Sequence, residues 1–196
     1  MTSSPASCAH TKAAEKMPDI PERPSVGKPA ADIQITVSDD RWSGAIDPQE
    51  LSQKAVGAAL GFVGDIIDRD CEVSILFCDD GEIRQMNLKW RSIDKPTNVL
   101  SFPASMFPGQ PGPLLLGDIV VTLDTCRREA DEAGLSLEDH TVHLLVHGFL
   151  HLAGFDHEDD DDAEEMEALE TEILASIGIA DPYREAVAGT KDVRHV

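Results

Sequence analysis

The chain has 196 residues, 41% of them hydrophobic, and this length and composition suit a single domain with one core. Acidic residues outnumber basic ones by 37 to 16, and the formal net charge of −21 excludes a generally basic surface that binds any polyanion. No apolar run approaches the roughly 20 residues that span a bilayer, and the N-terminus lacks the apolar stretch of a signal peptide, so we expect a cytoplasmic protein without membrane partners.

The two ends of the chain are interpreted as tails around one folded unit. Residues 1–31 contain five prolines and few large apolar side chains, a composition typical of disorder. Residues 184–196 lack a periodic apolar face, so the predicted folded domain spans residues 32–183. The sequence contains no C-x-x-C pair, and we expect reduced thiols rather than metal ligands at Cys8, Cys71, Cys78 and Cys126. Cys71 and Cys78 bracket an apolar strand and are expected to be packing residues.

Between the tails, the residue pattern predicts an α+β domain. Segments rich in β-branched residues or alternating in polarity predict four strands, at 33–37, 73–77, 98–102 and 118–123. Apolar residues at helical spacing predict five helices, starting near 47, 79, 124, 137 and 160. Asp47 and Asp79 are the expected N-terminal caps of the first two. We therefore expect a small mixed four-stranded sheet packed with about five helices.

The fourth predicted helix, residues 137–153, carries the most informative feature of the chain. It is apolar on most sides, which predicts burial, and it places His147 and His151 on one face, one turn apart. Gly154 follows where the helix has to end, because glycine accepts the left-handed conformation of a C-terminal turn. That turn can bring His157 back as a third ligand, and three protein ligands leave the open position of a catalytic zinc site.

The same histidine spacing occurs in the metzincin proteases, whose signature is H-E-x-x-H-x-x-G-x-x-H. This chain has Gly148 in place of the glutamate that serves those enzymes as general base, so peptide hydrolysis by that route is not expected. His140 and His143 lie on the same helix, but no further motif supports them as ligands and we leave them out of the site. Asp156 is expected either to orient a ligand imidazole or to stabilise the turn.

Three blocks of sequence resemble one known family. The segment from His147 to His157, HGFLHLAGFDH, resembles the motif H-G-x-L-H-L-x-G-[YF]-D-H of the YbeY family of bacterial metal-dependent endoribonucleases. Residues 87–103 resemble the block N-x-x-[YFW]-R-x-x-D-x-P-T-[DN]-V-L-S-F of that family, and residues 116–121 and 127–130 also fit. Because the blocks occur in the right order, chance agreement is improbable.

The resemblance covers roughly residues 33–183 and implies a zincin-like fold. It also implies a single-strand-specific endoribonuclease that acts in 16S rRNA 3′-end maturation and in ribosome quality control. One zinc ion per chain is implied on His147, His151 and His157, with His147 also counted as catalytic. The implied partners are ribosomal RNA and the ribosome or its proteins, and DNA is not expected.

Arg91 lies in the block at residues 87–103, and its guanidinium offers forked donors that match phosphate oxygens. We expect it to bind the scissile phosphate and stabilise the charge that develops there, although an arginine at a helix end is otherwise usually a surface salt bridge. Lys89 and Lys95 are expected to add phosphate contacts. Trp90 could stack on a base, but its helical spacing from the apolar residues before it favours a place in the core.

An acidic stretch from Glu158 to Glu172 contains no lysine or arginine, and we interpret it as a solvated helix start, with recruitment of a partner as the alternative. Screening over about 8 Å at physiological salt lets a local basic cleft bind RNA despite that stretch. We still expect weak intrinsic affinity and delivery of RNA by a partner.

The sequence leaves the general base open between Asp156, Glu158 and a hydroxide generated at the metal. It also leaves two other functions open. One is a metal-dependent hydrolase of a peptide or amide, and the other is a non-catalytic ribosome-associated factor stabilised by zinc.

Overall fold

The structure is a computed structural model that describes residues 29–105, 111–155 and 160–183. The elements in chain order are β1 (Ala31–Val37), α1 (Arg41–Ala45), α2 (Pro48–Val63), β2 (Cys71–Cys78), α3 (Asp80–Arg91), β3 (Val99–Pro103), β4 (Leu114–Thr122), α4 (Leu123–Ala133), α5 (Leu137–Leu152) and α6 (Asp160–Ser176). The predicted α+β class and its four strands are confirmed, and the described ranges contain six helices instead of about five. The additional helix, α1, has only five residues, too few to show a helical period in the sequence. The expected tails lie outside the described residues, apart from residues 29–31, the last of which begins β1.

The sheet is mixed, with the strand order β1-β2-β4-β3. β1, β2 and β4 are parallel, whereas β3 is an edge strand that runs antiparallel to β4. Close approach of β3 depends on Gly117, whose φ of +133° is in the region that favours glycine. A Cβ atom there would lie 2.1 Å from the carbonyl oxygen of Phe102. The edge strand can therefore reach its place beside the functional site only because residue 117 has no side chain.

Both predicted N-terminal caps are present. The carboxylate of Asp47 accepts hydrogen bonds from the backbone N–H groups of Gln49 and Glu50 at the start of α2. The carboxylate of Asp79 accepts one from the N–H of Glu82, 2.8 Å away, at the start of α3. These bonds satisfy donors that a helix start leaves without intrahelical partners, so both helices begin where the sequence predicts.

The main core lies between one face of the sheet and helices α2, α4, α5 and α6, with α5 buried along most of its length. A smaller cluster on the α3 side of the sheet includes Cys78, Ile83, Leu100 and Val120. Three of the four cysteines are described, and all three are free and buried, as expected for packing residues; Cys8 lies outside the described ranges. In the part of the chain that the structure describes, no helix is both long and apolar enough to span a bilayer.

One expectation for the core is wrong. The side chain of Trp90 is 63% exposed, although its spacing from the buried Ile83 matches a helical face. The reason is the width of the sheet: Trp90 lies in the last turn of α3, where the only aromatic contact within the described residues is with Phe102 of the edge strand. Periodicity predicted the correct face of the helix, but it could not show that the sheet ends beneath that turn.

Candidate metal centre and active site

His147 and His151 converge on one point from successive turns of α5. Their Nε2 atoms lie 3.1 Å apart, and the two rings are nearly perpendicular, with centroids 4.6 Å apart. Two nitrogens bound to one tetrahedral zinc ion at about 2.05 Å lie about 3.3 Å apart. The spacing of the pair therefore fits the donor set that the sequence predicts.

The hydrogen bonds of the two Nδ1 atoms determine which ring nitrogen carries the proton. The Nδ1 atom of His151 donates to the carbonyl oxygen of Phe155 at 3.1 Å, and the Nδ1 atom of His147 donates to the carboxylate of Glu170 at 2.8 Å. With Nδ1 protonated in both neutral rings, the two Nε2 lone pairs face each other. A shared cation, either a metal ion or a proton, converts that repulsion into attraction, so the chemistry of the pair also fits a metal.

Glu170, in α6, anchors this arrangement and was not identified from the sequence. It is fully buried, and its second carboxylate oxygen accepts hydrogen bonds from the Nε2 atom of His143, at 2.8 Å, and from the hydroxyl of Tyr183. Burial by itself would raise the pKa of Glu170, but the hydrogen bonds from His143, His147 and Tyr183 outweigh it and lower the pKa to about 2. The ionised carboxylate can only accept, which fixes Nδ1 of His147 as a donor.

A signal for Glu170 was present in the sequence. The apolar residues of α6 that the structure buries, Met166, Ile173 and Leu174, share one helical face with Glu170. A carboxylate at a core position of a helix needs a specific partner, whereas the surrounding acidic stretch made this residue look like part of a solvated face.

The turn after α5 forms as predicted from Gly154. Its φ is +97°, and the N–H of Phe155 donates to the carbonyl oxygen of Leu150 at 3.0 Å, the bond that closes such a helix C-terminus. The turn places the carbonyl oxygen of Phe155 against His151. Asp156 and His157 follow directly and lie outside the described residues, and within the described ranges no third His, Cys, Asp or Glu completes a metal-binding group.

Gly148 has no side chain that could act as a general base, and it also has a packing role. A Cβ atom at this position would lie 3.0 Å from Cγ2 of Ile119 and 3.1 Å from the hydroxyl oxygen of Ser101. Helix α5 therefore packs closely on β3 and β4, and any side chain at residue 148 would have to push Ile119 and Ser101 aside by a few tenths of an ångström.

Arg91 lies in the same cleft as the histidine pair. The cleft has a volume of about 570 Å³, and its lining includes Arg91, Thr97, Asn98, Ser101, His147 and His151. A larger cleft of about 870 Å³ lies between β1 and α2, but no histidine or basic side chain is among the residues that line it. Chemistry rather than volume therefore favours the cleft at the histidine pair.

The position of Arg91 is fixed by the end of α3 and the loop after it. Ser92 ends the helix in a left-handed conformation with φ of +60°. The buried amide of Asn87 then donates to the carbonyl oxygen of Lys95 at 2.8 Å, and Arg84 pairs with Asp94 at 2.7 Å. The loop is thereby held against its own helix, and Arg91 projects from a fixed platform.

Three basic residues of this region form no ion pair with another described residue. Across residues 29–105, 111–155 and 160–183, no carboxylate forms an ion pair with Lys89, Arg91 or Lys95. The interpretation of Arg91 as a surface salt bridge therefore finds no support in the described residues. Lys89 and Lys95 lie outside the cleft lining, on α3 and its following loop, so only Arg91 directly joins the histidine pair.

The other histidines of α5 also have specific roles. His143 belongs to the network of Glu170, and the Nε2 atom of His140 contacts the carboxylate of Glu129 at 3.2 Å. That carboxylate also accepts a hydrogen bond from the amide of Asn98, which lines the cleft. Both histidines were left out of the predicted site, and the structure gives them supporting contacts rather than a place beside the pair.

Comparison with known proteins agrees with the motifs. The sequence model described as Endoribonuclease YbeY matches residues 36–178. The curated protein named Endoribonuclease YbeY from Bradyrhizobium diazoefficiens is 50% identical, over an alignment that covers 78% of this chain and 85% of that protein. The protein of the same name from Methylocella silvestris is 46% identical, over 82% of this chain and 90% of that protein. The solution structure of TM1509 from Thermotoga maritima matches with a TM-score of 0.51 and 26% identity, covering 74% of this chain and 89% of that one. The resemblance found in the sequence is confirmed, and the zincin-like fold class agrees with this neighbour: the chain belongs to the Endoribonuclease YbeY family.

Proposed function

We propose that this chain is a zinc-dependent endoribonuclease that cleaves single-stranded RNA. The observation that carries the proposal is that the Nε2 atoms of His147 and His151 lie 3.1 Å apart in a cleft that Arg91 also lines. Among the residues that the structure describes, no carboxylate forms an ion pair with Arg91. The relatives named above are endoribonucleases, which supports RNA as the substrate. His147, His151 and, by the motif, His157 would hold one zinc ion per chain.

The residues of the cleft have separate tasks in this proposal. Zinc bound by the histidines would supply Lewis-acid catalysis. The guanidinium of Arg91 binds the scissile phosphate and offsets charge that develops on it during cleavage. Glu170 and the carbonyl of Phe155 hold the two imidazoles in the tautomer that presents Nε2 to the cleft.

We place the reaction in 16S rRNA 3′-end maturation and ribosome quality control, in the cytoplasm, with ribosomal RNA and the ribosome or its proteins as partners. The charge distribution supports delivery of the RNA by a partner. The formal net charge of −21 opposes RNA binding, whereas the segment from Arg84 to Asn98 has four basic residues and one acidic residue. A surface with one basic segment suits docking of RNA that is already held nearby.

The test is cleavage of single-stranded ribosomal RNA by the purified, zinc-assayed protein and by Arg91→Ala and His151→Ala. Arg128→Ala, which removes another exposed arginine on α4, is the matched control. Circular dichroism shows whether each variant is folded. We expect cleavage to be lost in the first two variants and retained in the control.

Cleavage that persists in both site variants would indicate a contaminating nuclease and contradict the proposal. If Arg91→Ala also kept full function in ribosome maturation, a non-catalytic zinc-stabilised factor would be the better account. Analysis of the product ends identifies the nucleophile, because attack by the neighbouring 2′-hydroxyl leaves a cyclic phosphate and attack by water does not.

A further inference from the structure

One of the two tryptophans of the chain, Trp90 in the last turn of α3, exposes most of its side chain next to the cleft residue Arg91. Of the two tryptophans in the chain, Trp42 is fully buried, packs edge-on against Phe77 and donates its indole N–H to the carbonyl of Cys78. Trp90 is 63% exposed, and its described ring neighbours are Phe102, edge-on with centroids 6.1 Å apart, and the ammonium of Lys89. A large aromatic surface is thus held from below and open to solvent.

The surroundings of Trp90 indicate the chemistry of a ligand for that surface. The ammonium nitrogen of Lys89 lies over the indole ring, 4.7 Å from its centre, and Arg91 is the next residue along the chain and lines the cleft. Neither cation forms an ion pair with a described carboxylate. An exposed indole with one cation over its ring and a second on the next residue matches a flat base attached to a phosphate, the unit from which a single nucleic acid strand is built.

We propose that Trp90 is a base-stacking residue, on which one unpaired base of a single-stranded RNA stacks while Arg91 binds an adjacent phosphate in the cleft. The proposal rests on the proposed function and adds the surface that holds the substrate next to the histidine pair. Because every base has an aromatic face, this contact selects unpaired bases without selecting a sequence. A base inside a duplex is already stacked on its neighbours, so the same contact discriminates against double-stranded RNA.

The position of Phe102 supports a built platform rather than an accidental exposure. Phe102 lies on β3 between Ser101 and Pro103, both of which line the cleft. Since neighbouring side chains of a strand point to opposite faces, Phe102 points to the α3 side of the sheet, where it packs beneath Trp90. A strand of RNA that crosses the edge at β3 would pass from the indole into the cleft.

The experiment measures binding of two short oligonucleotides to the full-length protein by tryptophan fluorescence. Both have a 2′-O-methyl phosphorothioate backbone, which resists cleavage; one is an oligouridylate and the other is abasic. Stacking quenches Trp90, while the buried Trp42 supplies a signal that reports intact folding. We expect the oligouridylate to quench wild-type emission and to bind more tightly than the abasic oligomer.

Binding to Trp90→Ala, which lacks the reporter residue, is measured with a fluorescent label on the oligomer. We expect oligouridylate binding to weaken about 5- to 150-fold, the loss typical of one stacked base, and binding of the abasic oligomer to stay unchanged. Trp90→Phe should retain part of the difference. Ile66→Ala removes an equally exposed apolar side chain, 62% exposed, from the loop after α2 and should bind like wild type.

The proposal is overturned if Trp90→Ala keeps the wild-type preference for the base-bearing oligomer, or if the wild type binds both oligomers equally or neither. Those results would mean that the exposed indole does not stack on a base of single-stranded RNA. Cleavage assays on the same proteins separate the two proposals. A wild type that shows the Trp90-dependent preference but cleaves no RNA would refute the endoribonuclease and leave base stacking supported.

Discussion

Replacing Glu170 with glutamine tests whether the buried carboxylate prepares the histidine pair for metal. The wild-type carboxylate accepts from His147 at one oxygen and from His143 and Tyr183 at the other. An amide of the same shape has one oxygen and one NH₂ group, so it cannot accept at both positions. The orientation that keeps two bonds, to His143 and Tyr183, points the NH₂ group at Nδ1 of His147.

That orientation has a direct consequence for the metal site. Nδ1 of His147 would then have to accept the hydrogen bond, and the ring proton would move to Nε2, the atom that faces His151. Loss of an outer partner of this kind lowers metal affinity about 10- to 100-fold, or about 1.4 to 2.8 kcal/mol. Exchanging charge-assisted hydrogen bonds for neutral ones also lowers the free energy of unfolding of the zinc-free protein by about 3 kcal/mol.

Zinc affinity is measured by competition with a chelator of known affinity, and stability by urea unfolding of the zinc-free protein. The tautomer of His147 is read from its nitrogen chemical shifts. Glu172→Gln, which removes the same charge from an exposed position of α6, is the control and should match the wild type in all three measurements. The reasoning is refuted if Glu170→Gln binds zinc as tightly as Glu172→Gln with His147 still protonated at Nδ1.

Two further predictions concern the core and the sheet. Burial raises the pKa of Cys71 to about 11 and that of Cys78 to about 12, so below pH 9 these thiols should be alkylated only as fast as the protein unfolds. The free energy of unfolding should fall as the pH rises above about 9, because the thiols ionise in the unfolded chain before they ionise in the folded protein. Rapid alkylation of either thiol in the folded protein would contradict this prediction. Gly117→Ala should cost about 3 kcal/mol in urea unfolding, because its Cβ would collide with the carbonyl of Phe102. Gly57→Ala, in open space on α2, should stabilise slightly, and equal effects of the two alanines would show that the collision is absent.

Local features of the fold were predictable from the sequence because their causes are local. Asp47 and Asp79 cap helices through hydrogen bonds to N–H groups two or three residues away, and Gly154 ends α5 by its own backbone conformation. The convergence of His147 and His151 follows from helix geometry alone. Each of these inferences needed only a few neighbouring residues.

The features that were missed depend on contacts between distant segments. Glu170 is 23 residues from His147 in the chain, and its role exists only because α6 packs against α5. The exposure of Trp90 depends on which strand forms the edge of the sheet, which the helical period of α3 does not contain. Gly148 was interpreted as a missing general base, and its contact with Ile119 could not be predicted because it depends on the position of β4.

The most direct test of the account is the dependence of RNA cleavage on zinc at the histidine pair. Zinc is removed from the purified protein, and cleavage of single-stranded RNA is measured as zinc is added back, together with the zinc bound per chain. The account predicts that cleavage rises with zinc up to one ion per chain in the wild type, and that folded His151→Ala neither retains the ion nor recovers cleavage. Full cleavage by the zinc-free wild type, or one tightly bound zinc per chain in His151→Ala, would contradict it.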